Sequence, residues 1–155
     1  MTEAKGNPFE WGPYIQVAGF CEYVLREADN VLSVIRLIDQ INHSVRGEDV
    51  PEEMPEFHYP IWLVLCLKCG KSRGRHELQI VPELPSGETM PPIAISVQME
   101  GEGKGANVLS KIDIPYRMEG LYYFIVRFDG ILLTRLPLEI RYSRQVVASP
   151  PTKKE

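Results

Sequence analysis

Residues 121–128, Leu121-Tyr122-Tyr123-Phe124-Ile125-Val126-Arg127-Phe128, are aromatic or β-branched almost throughout and run directly into Asp129-Gly130. Side chains of this kind suit a pleated, half-buried strand. Asp-Gly is the dipeptide that accepts left-handed backbone at both central positions of a two-residue type I′ hairpin. The chain is therefore expected to double back at Ile131 and continue extended to Tyr142. A parity conflict accompanies this reading. Pairing Phe128 with Ile131 sets Phe124 beside Arg135, whereas the apolar face of the outgoing strand is Leu136, Leu138, Ile140 and Tyr142. A bulge near Pro137, which has no N–H to give to a ladder, would restore the register.

Strand-length apolar runs separated by turn residues recur along the rest of the chain, the spacing of a sandwich or barrel. The first spans 15–25 and ends in the turn residues Glu27-Ala28-Asp29-Asn30. The second begins at Val31, where Val31, Val34, Ile35, Ile38, Ile41 and Val45 also fit a helical stripe capped by Asn30. Their β-branching favours a strand over the first half, with 38–45 open between strand and helical turn. Further strands are expected at 60–67, apolar on both faces and hence central, and at 76–83, reached through a hairpin. Others follow at 93–97, with Ile93, Ile95 and Val97 inward, and at 108–114, with Ile112 and Ile114 inward. Together with the hairpin strands these make about eight. The expectation is an all-β fold, a two-layer antiparallel β-sandwich of immunoglobulin-like type. Its single domain covers 14–143, between a flexible segment 1–13 and a disordered tail 144–155.

A chain of 155 residues, 44% hydrophobic and 25% charged, is long enough to bury one core without disulfides or structural metal. Lys plus Arg number 17 against 21 Asp plus Glu, a net charge of −4. Nucleic-acid and anionic-membrane partners are not expected of such a chain, because both require clustered positive charge. The longest apolar run, 61–67, is far shorter than the roughly 20 residues of a spanning helix. The first eight residues have no apolar stretch of the secretory type. Three cysteines, Cys21, Cys66 and Cys69, are an odd number. Reduced thiols and a cytoplasmic location are the expectation.

Two regions stand out as candidate binding elements. Residues 46–60 hold five carboxylates and three prolines, a composition that resists both ladder and helix, and so read as a long acidic loop. Glu52, Glu53 and His58 are its candidate binding groups. Residues 68–75 carry Lys68, Lys71, Arg73 and Arg75 with two glycines, a basic hairpin tip able to hold an anion or the acidic loop. Gly70-Lys71-Ser72 is not a phosphate loop, since Leu65 stands where the leading glycine belongs. Cys66-Leu67-Lys68-Cys69-Gly70 has zinc-knuckle spacing, but a closed site needs two further ligands. In a regular strand, a three-residue step also sends the two thiols to opposite faces. Cys66, Cys69 and His76 are thus an alternative metal set, and two buried or half-buried thiols are the simpler reading. No nucleophile, base and acid arrangement is apparent, so an enzyme is not expected and no cofactor is implied.

Glu119-Gly120-Leu121-Tyr122, followed by alternating Phe124, Val126 and Phe128, resembles the tyrosine-corner entry of immunoglobulin-like sandwiches. The wider pattern consists of Ala18 to Leu25, Leu32 to Asp39, the Gly74 to Ile80 strand with its Pro85-Ser86-Gly87 turn, Asp129-Gly130, and Leu136-Pro137-Leu138. It is similar to a family of small bacterial β-sandwich proteins grouped as a domain of unknown function. The resemblance spans about residues 18–142. It implies architecture only, because the family has no activity to transfer. The acidic loop and the Cys66/Cys69 pair fall outside that pattern. The functional expectation is a non-catalytic binding or interaction module of a bacterial cytosol, using loops or an edge strand to bind another protein. The alternatives are a small metal-binding protein and a homo-oligomeric, phage-like structural component paired through an edge strand.

Overall fold

A computed structural model describes residue 7 and residues 9–151. Eleven strands and no helix are formed among them: β1 (Tyr14–Arg26), β2 (Leu32–Ile38), β3 (Gln40–Gly47), β4 (Phe57–His58), β5 (Ile61–Lys68), β6 (Arg73–Glu83), β7 (Ile93–Glu100), β8 (Gly105–Ile112), β9 (Pro115–Tyr116), β10 (Gly120–Phe128) and β11 (Ile131–Val146). A four-stranded sheet in the order β2-β1-β5-β8 packs on a five-stranded sheet in the order β3-β11-β10-β6-β7, and β4 with β9 forms a small third ladder. The all-β expectation holds. The strand number exceeds about eight because one apolar run divides in two and a pair of two-residue strands is added.

The division falls at Asp39. β2 pairs with β1 in the four-stranded sheet, whereas β3 pairs with β11 in the other. Ile38 ends β2 packed against the core and Ile41 is buried early in β3. The three-residue step between them is a change of sheet, and that is what mimics a helical stripe. The β3–β11 ladder is parallel, which corrects the wholly antiparallel expectation.

The Asp129-Gly130 turn forms as expected, with φ of 46° and 80° and Phe128 opposite Ile131. The bulge does not lie near Pro137. The register shifts between Val126, opposite Thr134, and Arg127, opposite Leu132, so that Leu133 is the extra residue. Parity is thereby corrected within the first turn of the hairpin, and Phe124 faces Leu136 instead of Arg135. Pro137 pairs with Tyr123 at a point where β11 has not yet met β3.

The connection from β5 to β6 is not a hairpin. β5 pairs with β1 and β8, and β6 with β10 and β7, so the turn between them carries the chain from one sheet to the other. β6 also starts at Arg73, three residues before the expected His76. Both ends of the domain make contacts with its body. Lys71 N–H donates to Glu10 O at 3.1 Å and Ser72 Oγ to Trp11 O at 3.2 Å. Residues 10–12 lie so close to Gly70 that a Cβ there would approach Glu10 O and Gly12 N to 2.8 Å. β11 continues to Val146 beside β3, and Val147 N–H donates to Gly47 O at 2.8 Å. For residues 1–6, 8 and 152–155, the expected terminal flexibility lies outside the described residues.

The core lies between the sheets. Phe20 and Phe124 meet edge to face across the layers at 5.0 Å. Leu63, Leu65, Leu78, Ile80, Tyr122 and Leu138 are fully buried around them. The tyrosine corner forms, with Tyr122 Oη donating to Met118 O at 2.9 Å. The Tyr116 hydroxyl beside it is equally buried but has no partner among the described residues, and desolvation pushes its pKa well up. The two tyrosines should therefore respond oppositely to loss of the hydroxyl. Tyr122→Phe should destabilise by about 1 kcal/mol, whereas Tyr116→Phe should be neutral or stabilising, since it removes an unpaired buried group. Urea denaturation of the two variants against the parent measures both.

Candidate functional site

The sequence-derived binding residues separate into two groups. β5 is eight residues long, so its ends lie about 26 Å apart at roughly 3.3 Å per residue. The acidic loop precedes its first residue and the basic turn follows its last. The two candidate elements therefore stand at opposite ends of the sandwich, and the basic turn does not hold the acidic loop.

Each group is occupied locally. Lys71 pairs with Glu10 and lies 4.6 Å from the Trp11 ring centre. Arg73 is in β6, 3.6 Å from Glu102. Arg75 is also a strand residue. The loop shortens to 48–56, because Arg46 and Gly47 end β3 and Phe57 and His58 pair with Tyr116 and Pro115. Val50 and Met54 are buried beneath it. Arg144 donates to Val50 O at 2.9 Å, Tyr142 Oη to Pro51 O at 2.8 Å, and Arg117 Nε to Glu56 at 2.8 Å. Glu52 and Glu53 are exposed beside Arg117 and Glu119 at a cleft of about 360 Å³. His58 pairs with Asp113 at 3.0 Å on the surface.

The alternative metal residues are not brought together. Cys69 is buried, its Sγ 3.2 Å from Met99 Sδ. Cys66 is half-buried on the other side of β5, and desolvation raises its pKa, which keeps it a thiol. No group of three or more His, Cys, Asp or Glu side chains among the described residues is placed to hold a metal ion.

His76 has a partner that its sequence neighbourhood does not reveal. Its Nδ1 is 2.5 Å from Asp129 Oδ2 and its Nε2 is 2.7 Å from Arg73 O. Both ring nitrogens thus face acceptors, and only the doubly protonated imidazolium donates to both. Asp129 Oδ1 also accepts the Glu77 N–H at 3.0 Å, and its own N–H donates to Glu77 O. The hydrogen bonds from Asp129 and Arg73 O raise the His76 pKa, and those from Glu77 and His76 lower that of Asp129. Ser96 lines the same surface cleft of about 570 Å³. The three residue types of a hydrolase triad are therefore near one another, but both ring nitrogens of His76 are engaged, by Asp129 and by Arg73 O. The arrangement is a clamp that fixes the β10–β11 turn to β6.

A larger feature is the outer face of the four-stranded sheet. Directly opposed residues in an antiparallel ladder point to one side. On β5, Ile61, Leu63, Leu65 and Leu67 point into the core, so Trp62, Val64 and Cys66 point out. By register Cys21, Gly19 and Val17 on β1 share that outward side, as do Leu109 on β8 and Leu37 and Ile35 on β2. Cys21 and Val64 are buried yet do not belong to the core cluster. Val17, Tyr23, Leu25 and Ile35 lie around them exposed, and Leu37, 72% exposed, leans over Gly19. Beyond Cys21, β1 has no β5 partner, so Tyr23 and Leu25 stand on a two-stranded ribbon projecting past the sandwich. Where the ribbon leaves the sheet, Glu22 accepts hydrogen bonds from Arg36 Nε at 2.6 Å and Tyr59 Oη at 3.0 Å, which hold its carboxyl below the usual range. Arg36 has a φ of 58°, left-handed backbone within an edge strand.

The fold and this surface define an all-β sandwich domain with an uncovered apolar sheet face. Its sequence matches, over residues 16–141, the profile of a family of unknown function, DUF6941, and the chain belongs to that family. No curated protein matches it. Among solved structures it is similar to a Pseudomonas fluorescens alkylpurine DNA glycosylase AlkC bound to DNA containing an abasic site analogue. The two share 14% identity and a TM-score of 0.38, over 63% of this chain and 27% of that one. The chain thus spans about a quarter of that protein's length, and a likeness of this extent carries no functional argument.

The clamp has a definite pH signature. A histidine whose pKa is raised on folding stabilises below its ordinary 6.5 and loses that contribution as pH climbs through the raised value. A carboxylate whose pKa is lowered stabilises above its ordinary 3.8 and loses it as pH falls through the lowered value. The stability gap between the parent and His76→Gln should therefore be widest from about pH 4 to 7 and narrow on either side. Denaturation midpoints near pH 3, 5.5 and 9 check it.

Proposed function

We propose that the protein is a non-catalytic interaction module of a bacterial cytosol that binds a protein partner through the outer face of its four-stranded sheet. The observation that carries this reading is the burial of Cys21 and Val64 on the outer side of the sheet, ringed by exposed apolar side chains and covered by no other layer among the described residues. Contiguous apolar patches of several hundred Å² on a folded protein mark contact surfaces. Aromatic anchors such as Trp62 and Tyr23 are the residue types that concentrate binding energy.

The face is favoured over the loops because the loop at 48–56 is tied to the domain by Arg117 at Glu56 and by Tyr142 and Arg144 at its Pro51 and Val50 carbonyls, and so offers less apolar area for a partner. It is favoured over the β2 edge alone because the left-handed Arg36 turns that edge away from a regular ladder, a device that discourages strand addition. A non-catalytic role accords with the fully engaged ring of His76.

Affinity capture from source-cell extract with purified, tagged full chain tests the reading. Leu37→Glu and Tyr23→Glu should reduce recovery of a specific partner by roughly tenfold or more. Glu52→Lys with Glu53→Lys should leave it intact. Loss of the partner with the loop variant and retention with the face variants would overturn the proposal.

A further inference from the structure

We infer that the body covering this face is a second copy of the same chain, stacked sheet on sheet. The inference rests on the reading of the face as a binding surface and names its occupant. Three observations carry it.

The first is area. Val17, Tyr23, Leu25, Ile35 and Leu37 each leave between 39% and 72% of their surface in water, together on the order of 500 Å². The half-buried Trp62 and its neighbours bring the face towards the roughly 800 Å² that each partner contributes to an interface of ordinary size. Two copies would thus bury enough to hold together, whereas a short peptide would leave most of the face wet.

The second is shape. The face is a twisted four-stranded sheet without a loop across its centre, and twisted sheets of one hand pack on each other with strands about 30° apart and layers about 10 Å apart. The chain already stacks this sheet on another internally, where Phe20 meets Phe124 of the five-stranded sheet. An identical face has the matching twist by construction.

The third is charge. The charged side chains at outward positions of this sheet, Lys68 and Lys111, stand at its opposite ends on β5 and β8. Between Val17 and Leu25 on β1 and between Ser33 and Leu37 on β2 the outward positions are apolar except Ser33, whose hydroxyl donates to Glu27, and the paired Glu22 and Arg36 alternate to the other side. A two-fold axis near β1 lays apolar on apolar and leaves the lysines of both copies at the rim, clear of each other. A partner recognised by charge would find nothing to read at the centre.

Light scattering and sedimentation equilibrium on the full chain, from micromolar to millimolar concentration, test the inference. The parent should show a monomer–dimer equilibrium. Leu37→Glu should weaken it roughly tenfold or more, while Ile131→Glu, on an equally exposed hairpin residue away from the face, should leave it unchanged. Leu37 is open to water, so the variant should retain the parent's circular dichroism and denaturation midpoint. Tyr23→Cys provides a second readout, since a copy stacked near β1 should give a disulfide-linked dimer on oxidation. A parent that stays monomeric at millimolar concentration overturns the inference. So does a dimer that Leu37→Glu leaves intact. If that monomer still loses a specific captured partner with Leu37→Glu, the binding surface stands and only its occupant was wrong. If it captures nothing, both readings fall.

Discussion

Each sheet must hide one face, and each hides it against the other; the edge-to-face meeting of Phe20 and Phe124 is the point about which that mutual cover is organised. Everything else in the fold serves to bring strands distant in the chain to that interior. Asp39 passes one apolar run from sheet to sheet, and the turn at 69–72 does the same between β5 and β6. Together with the passages from β3 to β5, β7 to β8 and β8 to β10, these crossings prevent the layers from sliding apart, because neither sheet can be built from a continuous piece of chain. The tyrosine corner then fixes the entry to β10, the strand that carries Phe124.

What was legible in the sequence was local. The β10–β11 hairpin could be read because Asp129-Gly130 prescribes its own backbone, and the family pattern could be read because it consists of such fold-shaping residues. The sheet crossings were not legible, since the residues of a turn do not say which ladder the next strand will join. At Asp39 the crossing even produced a misleading helical spacing. The bulge was foreseen from parity but placed at Pro137, because a missing N–H is visible in a sequence whereas the tighter twist next to a type I′ turn, which favours Leu133, is not.

The candidate site was hidden for a related reason. Residues 60–67 read as apolar on both faces and therefore central, and β5 is central within its sheet. Burial period cannot tell whether a second layer covers the outer side, and among the described residues none does. The His76–Asp129 clamp joins residues 53 positions apart, and no spacing rule reaches that far. Conversely, the acidic loop and the basic turn looked complementary only because charge can be read from a sequence while the length of the intervening strand had not been set against it.

The parallel pairing of β3 with β11 has a consequence for biosynthesis. Residues 40–47 can be made early, but their partner is the last strand of the domain. Pairings of such long sequence separation form slowly and late. While the chain is being made, β3 waits with an open edge, and the five-stranded sheet closes only after β11 has emerged. Truncation within β11 would thus deprive β3 and β10 of their shared neighbour at once, so the nascent domain is expected to complete its interior in one final step when β11 becomes available.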